Sequence, residues 1–323
     1  MISFVVPCYR SALTIGAVVE EIAATMKQAG RDYEVILVDD GSPDNTADVL
    51  RTIAAKRSEV TVVTLARNFG QHAALMAGFR QVSGDCVVCL DDDGQTPPAE
   101  ALKLLARVDE GFDVVYGEYR HKAHSTFRNV GSALNERMAR ALLAKPPGLY
   151  LSSFFAARRF IIDEVSRYTN PYPYVIGLIL RSTRSITNVE VEHRAREIGS
   201  SGYSLHKLIS LWLNGFTAFS VKPLRVSSLI GVIVAALGFV YGVIVVVRAI
   251  VVQSAPPGFS SLMVATLVIG GLILAALGLI GEYLGRTYIS ISQAPQYVVR
   301  WKLSGEQGEA AGDATRTETT YDR

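Results

Sequence analysis

The sequence has few charged residues and no surplus of either sign. Charged residues make up 19% of its 323 residues, and 32 Lys and Arg against 30 Asp and Glu give a net charge of +2. A nucleic-acid-binding protein needs a basic face, which so balanced a composition does not supply. Hydrophobic residues reach 49%, and the mean hydropathy is +0.25. We therefore expect part of the chain to lie in lipid.

Cysteine is scarce, and no cleavable leader is visible. Cys8, Cys86 and Cys89 are odd in number and do not make a disulfide framework, which favours a reducing compartment. Cys86 and Cys89 have the spacing of a zinc or redox motif, but residues three apart on a strand point to opposite faces, so we interpret both as core residues. Met1 leads directly into an apolar run, so we expect the N-terminal part to stay in the cytosol.

Two common nucleotide-binding motifs are missing. The first apolar run is not followed by Gly-x-Gly-x-x-Gly, which disfavours a dinucleotide site. The sequence also contains no Gly-x-x-x-x-Gly-Lys-Ser/Thr, which excludes a P-loop. Any nucleotide must therefore be held by other residues.

Two long uncharged runs lie towards the C-terminus. Residues 229–247 and 262–281 contain no charged side chain, and a helix with a rise of about 1.5 Å per residue over either run crosses a bilayer core of roughly 30 Å. A short breaker-rich link between them predicts a transmembrane hairpin over 227–281. Basic residues flank its outer ends, so the positive-inside rule predicts both termini in the cytosol. Small residues in the second span, Gly270 and Gly271, permit close helix packing, so a homo-oligomer stays open.

Aromatic residues mark both flanks of the predicted hairpin. Residues 203–226 predict an interfacial amphipathic helix. Residues 282–303 predict a second, juxtamembrane interfacial helix, with Trp301 at headgroup level. Residues 304–323 are rich in Gly, Ala, Thr and acidic residues and predict a disordered tail.

Residues 1–202 have a different pattern. Short β-branched runs alternate with helical stretches, which predicts an α/β domain with a mostly parallel sheet and helices on both faces. The predicted strands are 2–7, 34–38, 60–66, 86–90 and 113–116, and the predicted helices are 15–29, 44–56, 72–81 and 99–109. In such sheets, ligands bind at the carboxyl ends of the strands.

Acidic residues follow two of the predicted strands. A carboxylate at Asp39 or Asp40 can accept a hydrogen bond from a base or ribose, and the glycine that follows permits a close backbone approach. Asp91, Asp92 and Asp93 repel one another unless a cation shares them. Hard oxygen ligands suit Mg²⁺ or Mn²⁺, which would also hold a diphosphate. The alternative is a solvated acidic turn before a helix.

Four motifs stand at these predicted strand ends. They are Val6-Pro7-Cys8-Tyr9, Val38-Asp39-Asp40-Gly41-Ser42, Arg67-Asn68-Phe69-Gly70-Gln71 and Asp91-Asp92-Asp93-Gly94-Gln95. Their order and spacing resemble those of the family 2 glycosyltransferases, which have the Rossmann-like GT-A fold. With the hairpin and the segment from Gly281 to Arg286, the chain looks like the bacterial polyprenyl-phosphate glycosyltransferases, relatives of dolichol-phosphate mannose synthase. The resemblance implies a multi-pass protein of the bacterial inner membrane with a cytosolic catalytic domain.

The resemblance implies a donor site at the strand ends. Residues expected to bind the nucleotide, most often uridine in bacterial members, are Pro7, Tyr9, Asp39, Asp40 and Asp91. Asp91, Asp93 and Gln95 match the family's Asp-x-Asp-x-Gln site for the metal, Mg²⁺ or Mn²⁺, and the diphosphate. Asp93 is the expected catalytic residue of this set. His72, beside Arg67, either contacts a phosphate or has a structural role.

The resemblance also implies a cationic site for the acceptor. Arg196 and Ser201 match a loop that closes over the phosphates, and Arg120 and Arg128 fall where relatives place arginines for the acceptor phosphate. Guanidinium groups pair bidentately with phosphate. Arg128 and Arg196 are accordingly expected to act in catalysis as well as in binding.

The sequence departs from the family pattern at several positions. Ser11 replaces a glutamate, Gly202 replaces a lysine, and the usual Asp-Ala-Asp-Leu-Gln becomes Asp-Asp-Asp-Gly-Gln. The chain carries Ser152 and Ser153 where many relatives have an aspartate that is commonly proposed as a base. A phosphate monoester has a second pKa of roughly 6 and is already nucleophilic at neutral pH, whereas a sugar hydroxyl needs a general base. The missing base therefore favours a phosphate acceptor.

These observations predict an inverting, metal-dependent glycosyltransferase that moves a sugar from a nucleoside diphosphate, such as UDP, to undecaprenyl phosphate for cell-envelope glycan synthesis. Two alternatives stay open. One is a transferase that acts on a saccharide or glycolipid hydroxyl, and the other is a catalytically silent membrane scaffold that binds a nucleotide sugar.

Overall fold

The computed structural model describes residues 1–119, 145–194, 258–291, 295–305 and most of 229–247. The described residues fall into two compact units. Residues 1–119, 145–194 and 295–305 belong to the first unit, and the helical residues between 229 and 291 belong to the second.

The first unit is an α/β domain, as the alternating pattern predicts. Its strands are β1 Ile2–Cys8, β2 Tyr33–Asp39, β3 Val60–Leu65, β4 Cys86–Cys89, β5 Val114–Tyr119, β6 Phe155–Arg158, β7 Ile186–Val191 and β8 Val299–Ser304. Its helices are α1 Ile15–Ala29, α2 Thr46–Ala54, α3 Gln71–Phe79, α4 Ala101–Asp109, α5 Arg159–Ser166 and α6 Val175–Ser182. The five predicted strands and four predicted helices are confirmed, with small shifts at their ends.

All eight strands form one sheet in the order β7-β5-β6-β4-β1-β2-β3-β8. Strands β3, β2, β1 and β4 pair in parallel, and β5 pairs in parallel with β7. Strand β6 pairs antiparallel with both of its neighbours, and β8 pairs antiparallel with β3. The central parallel strands therefore end at one common edge of the sheet.

Side-chain alternation along β1 explains why helices cover both faces of the sheet. Phe4 and Val6 belong to the same buried cluster as the apolar face of α1. Val5 points to the other face, where a Cβ on Gly78 of α3 would come within 2.5 Å of the Val5 Cγ1 atom. Helix α3 can pack this closely on the sheet only because residue 78 has no side chain.

Strand β8 corrects the prediction for the segment that follows the hairpin. Trp301 pairs with Thr64 of β3, packs against the core, and has the Arg51 guanidinium carbon 4.3 Å from its ring centroid. The predicted interfacial helix over 282–303, with Trp301 at headgroup level, is therefore wrong over residues 295–303, which are not helical. The alternation of apolar and basic side chains in Val299–Ser304 is the strand signal, which the aromatic content obscured.

The second unit is helical within its described residues. Helix α7 covers Leu229–Tyr241 and helix α8 covers Phe259–Ile291. Within α8, the window Val268–Gly285 has a mean hydropathy of 1.9 and no buried residue. Among the described residues, α8 is the one helix long and apolar enough to cross a bilayer. The predicted interfacial helix over 203–226 and nearly all of the predicted tail lie outside the described residues.

Candidate active site

The predicted strand-end residues come together at one edge of the sheet. Strands β2, β1 and β4 are neighbours and run in parallel, so the residues that follow them lie side by side. The Asp40 N–H donates to the Cys8 carbonyl at 2.9 Å, and the Tyr9 N–H donates to Asp92 Oδ2 at 3.0 Å. These bonds join the ends of the three strands into one site. Pro7, one residue before Cys8 in β1, pairs with Val38 of β2.

Asp39 is buried at the end of β2 and holds the turn that follows it. Its Oδ1 accepts the Ser42 N–H at 3.0 Å. The Ser42 hydroxyl in turn accepts the Arg10 N–H at 3.1 Å. This bond ties the turn to the loop after β1, where Tyr9 is exposed. Asp39 and Tyr9 are therefore linked through one hydrogen-bonded turn, and their contact with a nucleotide stays a prediction.

Asp40 holds a different loop. It is 4% exposed, and its two oxygens accept the N–H groups of Phe69 and Gly70 at 2.7 and 2.9 Å. Burial raises the pKa of Asp40, and these two hydrogen bonds partly oppose that shift. Both oxygens bind backbone N–H groups, so this carboxylate fixes the loop after β3. Its contact with a nucleotide stays a prediction.

Gly41 allows this loop to lie against the end of β2. Its φ is +61°, and a Cβ there would come within 2.4 Å of the carbonyl carbon of Arg67. Any side chain would displace the loop. The glycine is therefore required for the approach of the loop itself.

Asp91 is held by donors from two other parts of the chain. Its Oδ1 accepts Gln71 Nε2 at 3.0 Å, and its Oδ2 accepts the Ser153 hydroxyl. The pKa of Asp91 is raised to about 6, mainly by burial and further by the charges of Asp93 and Asp92, while the Ser153 hydrogen bond lowers it. A partly buried carboxylate with a raised pKa next to two others is electrostatically suited to a cation.

Asp92 belongs structurally to the loop after β1. Its Oδ2 accepts both the Tyr9 N–H and the Ser11 hydroxyl. Burial raises its pKa, whereas these hydrogen bonds lower it. The sequence predicted no separate role for Asp92. The replacement of the family's glutamate by Ser11, whose hydroxyl contacts Asp92, is the sequence feature that could have indicated one.

Asp93 and Gln95 form the turn after β4. Asp93 Oδ1 accepts the Gln95 N–H at 3.1 Å, and the Gln95 carbonyl accepts the Arg194 N–H at 2.7 Å. Arg194 also pairs with Glu21 of α1, with Nη1 at 2.9 Å from Oε1. The segment after β7 is thus anchored beside the acidic turn.

Four predicted residues, Arg120, Arg128, Arg196 and Ser201, lie outside the described residues.

The described residues do not enclose a metal ion at the acidic turn. Among the described residues, no three His, Cys, Asp or Glu side chains lie close enough together to enclose a metal ion. Magnesium sites commonly use one or two carboxylates and are completed by water and substrate phosphates. Asp91 and Asp93 would supply two carboxylates and Gln95 an amide oxygen to a site of this kind, and this ligand set stays a prediction.

His72 has a structural position. It is partly buried, its ring packs edge-on against Tyr174 with centroids 5.0 Å apart, and burial lowers its pKa to about 4. A neutral imidazole is a poor ligand for phosphate. Of the two roles left open for His72, the structure supports the structural one.

Comparison with known proteins agrees with the fold and the motifs. Residues 3–166 match the sequence family described as Glycosyl transferase family 2, and residues 222–287 match the family described as GtrB C-terminal hairpin. The second match covers both predicted spans.

Curated relatives extend this similarity over nearly the whole chain. An undecaprenyl-phosphate 4-deoxy-4-formamido-L-arabinose transferase from Yersinia enterocolitica is 36% identical over 311 residues, covering 95% of each chain. The transferase of the same name from Serratia proteamaculans is 38% identical over 310 residues, covering 95% of this chain and 94% of the relative.

A solved structure supports the fold alone. Glucosyl-3-phosphoglycerate synthase from Mycobacterium tuberculosis, in complex with Mn²⁺, UDP and phosphoglyceric acid, has a TM-score of 0.53 and 24% identity. The match covers 67% of this chain and 76% of the synthase. The predicted GT-A fold is confirmed.

Proposed function

Because the chain belongs to glycosyl transferase family 2 and is a glycosyltransferase, we propose that it moves a sugar from a nucleoside diphosphate, UDP being the expected nucleotide, to undecaprenyl phosphate. The relatives named above support the acceptor, since their names include undecaprenyl phosphate. The hairpin would hold the enzyme in the cytoplasmic membrane, where a polyprenyl chain is met.

The observation that carries the acceptor is Ser153 beside Asp91. A serine hydroxyl is a weak base and cannot activate a sugar hydroxyl efficiently at neutral pH. A lipid phosphate is largely a dianion there and needs no such help. The site therefore supports an acceptor that is already nucleophilic.

The reaction would be a single displacement at the anomeric carbon. A phosphate oxygen of the lipid forms the new bond while the bond to the donor's β-phosphate oxygen breaks, so the configuration inverts and the nucleoside diphosphate leaves with both electrons. Asp39 and Tyr9 would bind the nucleotide, and Asp91, Asp93 and Gln95 would hold Mg²⁺ or Mn²⁺. The cation would neutralise the charge that develops on the leaving diphosphate.

A transfer assay tests this proposal. Full-length protein in detergent is given undecaprenyl phosphate, Mn²⁺ and a panel of UDP- and GDP-sugars that includes the 4-deoxy-4-formamido-arabinose donor, because the relatives are named for that sugar. Released nucleotide and labelled lipid are measured separately. We expect label in the lipid with one donor.

Two variants calibrate the result. Asp93→Ala should lower transfer at least 100-fold. Asp109→Ala, which removes an exposed carboxylate of α4 that pairs with Arg31, should not change it. Unchanged transfer by Asp93→Ala would overturn the cation site. Label on a saccharide hydroxyl would select the hydroxyl-acceptor alternative, and nucleotide-sugar binding without turnover would select the scaffold.

A further inference from the structure

Gln71 reaches from the loop after β3 to the acidic turn after β4. It is the first residue of α3, and its side-chain amide donates to Asp91 Oδ1 at 3.0 Å. The side chain is exposed and could extend into water instead. Its amide nevertheless lies on one of the two carboxylates proposed to hold the cation.

The backbone of Gln71 is fixed on both sides. On the N-terminal side, the two residues before it donate their N–H groups to the buried Asp40 carboxylate. On the C-terminal side, every residue of α3 from Ala73 to Phe79 is buried, and Gly78 lets the helix lie directly on Val5. A side chain on such a rigid element holds its partner more precisely than one on a free loop.

Asp91 is thereby oriented from two directions. Gln71 donates to one oxygen and Ser153 to the other, so the plane of the carboxylate is set before any ligand binds. Each carboxylate oxygen still has a lone pair available after accepting one hydrogen bond. Hydrogen-bond partners of this kind orient metal ligands, and their loss typically costs about 10- to 100-fold in metal affinity.

We propose that Gln71 is a positioning residue for the cation site, which holds the Asp91 carboxylate in the orientation that a divalent cation and its diphosphate require. The inference rests on the proposed function, because it assumes a cation at Asp91 and Asp93. The effect of Gln71 should therefore depend on the metal, which separates it from a general structural effect.

Calorimetric titration of the full-length protein in detergent tests the inference without relying on turnover. The ligand is whichever of UDP and GDP the wild-type protein binds, measured with Mn²⁺ and again with EDTA. Gln71→Ala should weaken binding about 10-fold or more in Mn²⁺ and leave binding in EDTA unchanged. Gln81→Ala, just beyond the far end of α3, is the matched control and should bind like wild type under both conditions.

A second variant guards against misfolding. Gln71→Glu keeps the size of the side chain but replaces the donor by a carboxylate facing Asp91, so it should weaken the Mn²⁺-dependent binding at least as much as Gln71→Ala. Equal thermal melting of the two variants and of Gln81→Ala would show that each is folded.

The outcomes separate the inference from the function on which it rests. If Asp93→Ala loses Mn²⁺-dependent binding while both Gln71 variants retain it, the positioning role is overturned and the cation site stands. If Gln71→Ala weakens binding equally in Mn²⁺ and EDTA, Gln71 acts on the nucleotide or the loop, and the inference is again overturned. If wild type binds neither nucleotide, or Asp93→Ala binds like wild type, the proposed cation site and this inference both fail.

Discussion

The Ser153 hydroxyl donates a hydrogen bond to the Asp91 carboxylate, joining the loop before β6 to the end of β4. The hydroxyl of Ser152, next to it, lies 2.8 Å from the carbonyl oxygens of both Gly117 and Phe154, which share its one proton. Only the second serine of the pair therefore takes part in the site. A carboxylate in its place would face another carboxylate across a hydrogen-bond distance.

Introducing an aspartate at residue 153 should impair the enzyme. We expect Ser153→Asp to lower kcat/KM for transfer by about tenfold or more, because two adjacent carboxylates repel and one of them is driven to bind a proton. Ser153→Asn has nearly the same size without the charge and should lose less activity. The comparison is made at saturating Mn²⁺ and pH 7.5. Faster transfer by Ser153→Asp would instead mean that the site lacked a base and that its acceptor is a hydroxyl.

The pKa of Asp91, raised to about 6 chiefly by burial, predicts a pH-dependent metal requirement. Above pH 7 the carboxylate is ionised and the Mn²⁺ concentration for half-maximal activity should be constant. Below pH 6 the proton competes with the cation, so this concentration should rise by up to about tenfold per pH unit. A titration of activity against Mn²⁺ between pH 5 and 8 measures it. A requirement that does not change over this range would contradict the prediction.

The raised pKa of Asp91 lowers the stability of the metal-free protein at neutral pH. The ordinary pKa of the carboxyl is 3.8, so as the pH rises from 3.8 to about 6 the unfolded chain releases this proton before the folded chain does. The folded state is then disfavoured by this group at neutral pH. Mn²⁺ together with the nucleotide should therefore raise the melting temperature more at pH 7.5 than at pH 5.5.

The placement of the strand-end residues could be predicted from the sequence, but their contacts could not. Asp39, Asp91 and Asp93 follow apolar runs of strand length, and parallel strands bring such ends to one edge whatever the loops do. The partners of Asp40 and Asp92 depend on loop conformations, including a positive φ of 58° at Arg10, which no local pattern specifies. Gln71 was visible within a motif, yet its target became apparent only when α3 was placed on the sheet.

The missed strands have a related explanation. Strand β6 has four residues, too short for a clear alternation. Strand β8 pairs with β3, from which more than 200 residues separate it. Apolar and basic side chains alternate in the sequence of β8, but aromatic residues after an apolar helix are equally typical of a membrane interface. A local pattern could not decide between these interpretations.

Asp92 should contribute to nucleotide binding but not to cation binding. Asp92→Ala leaves the Tyr9 N–H and the Ser11 hydroxyl without their acceptor, so the loop after β1 loses its tie to the end of β4. We expect weaker nucleotide binding in EDTA as well as in Mn²⁺, unlike the effect expected for Gln71. Calorimetry under both conditions measures this. An effect confined to Mn²⁺ would place Asp92 among the cation ligands instead.

Strand β8 should stabilise the catalytic sheet although it follows the hairpin in the sequence. Trp301→Ala removes a partly buried ring and its contact with Arg51, at a cost of about 2 kcal/mol. Hydrogen exchange of the β3 amides in full-length protein should then be more than tenfold faster. Arg300→Ala, which loses one exposed hydrogen bond to the Ala66 carbonyl, is the control and should have a smaller effect. Unchanged β3 exchange in Trp301→Ala would contradict a stabilising role for β8.

The buried thiols of the catalytic unit make the predicted membrane orientation testable. Cys8 and Cys89 are buried, which raises their pKa values well above the ordinary range, and burial raises that of Cys86 to about 12. Thiolates react with maleimides, so the native cysteines should react slowly. We expect Ser254→Cys, in the link between the two spans, to be labelled by an impermeant maleimide in intact cells. Thr317→Cys, in the C-terminal tail, should be labelled only after permeabilisation, and the reverse pattern would place the catalytic unit outside the cell.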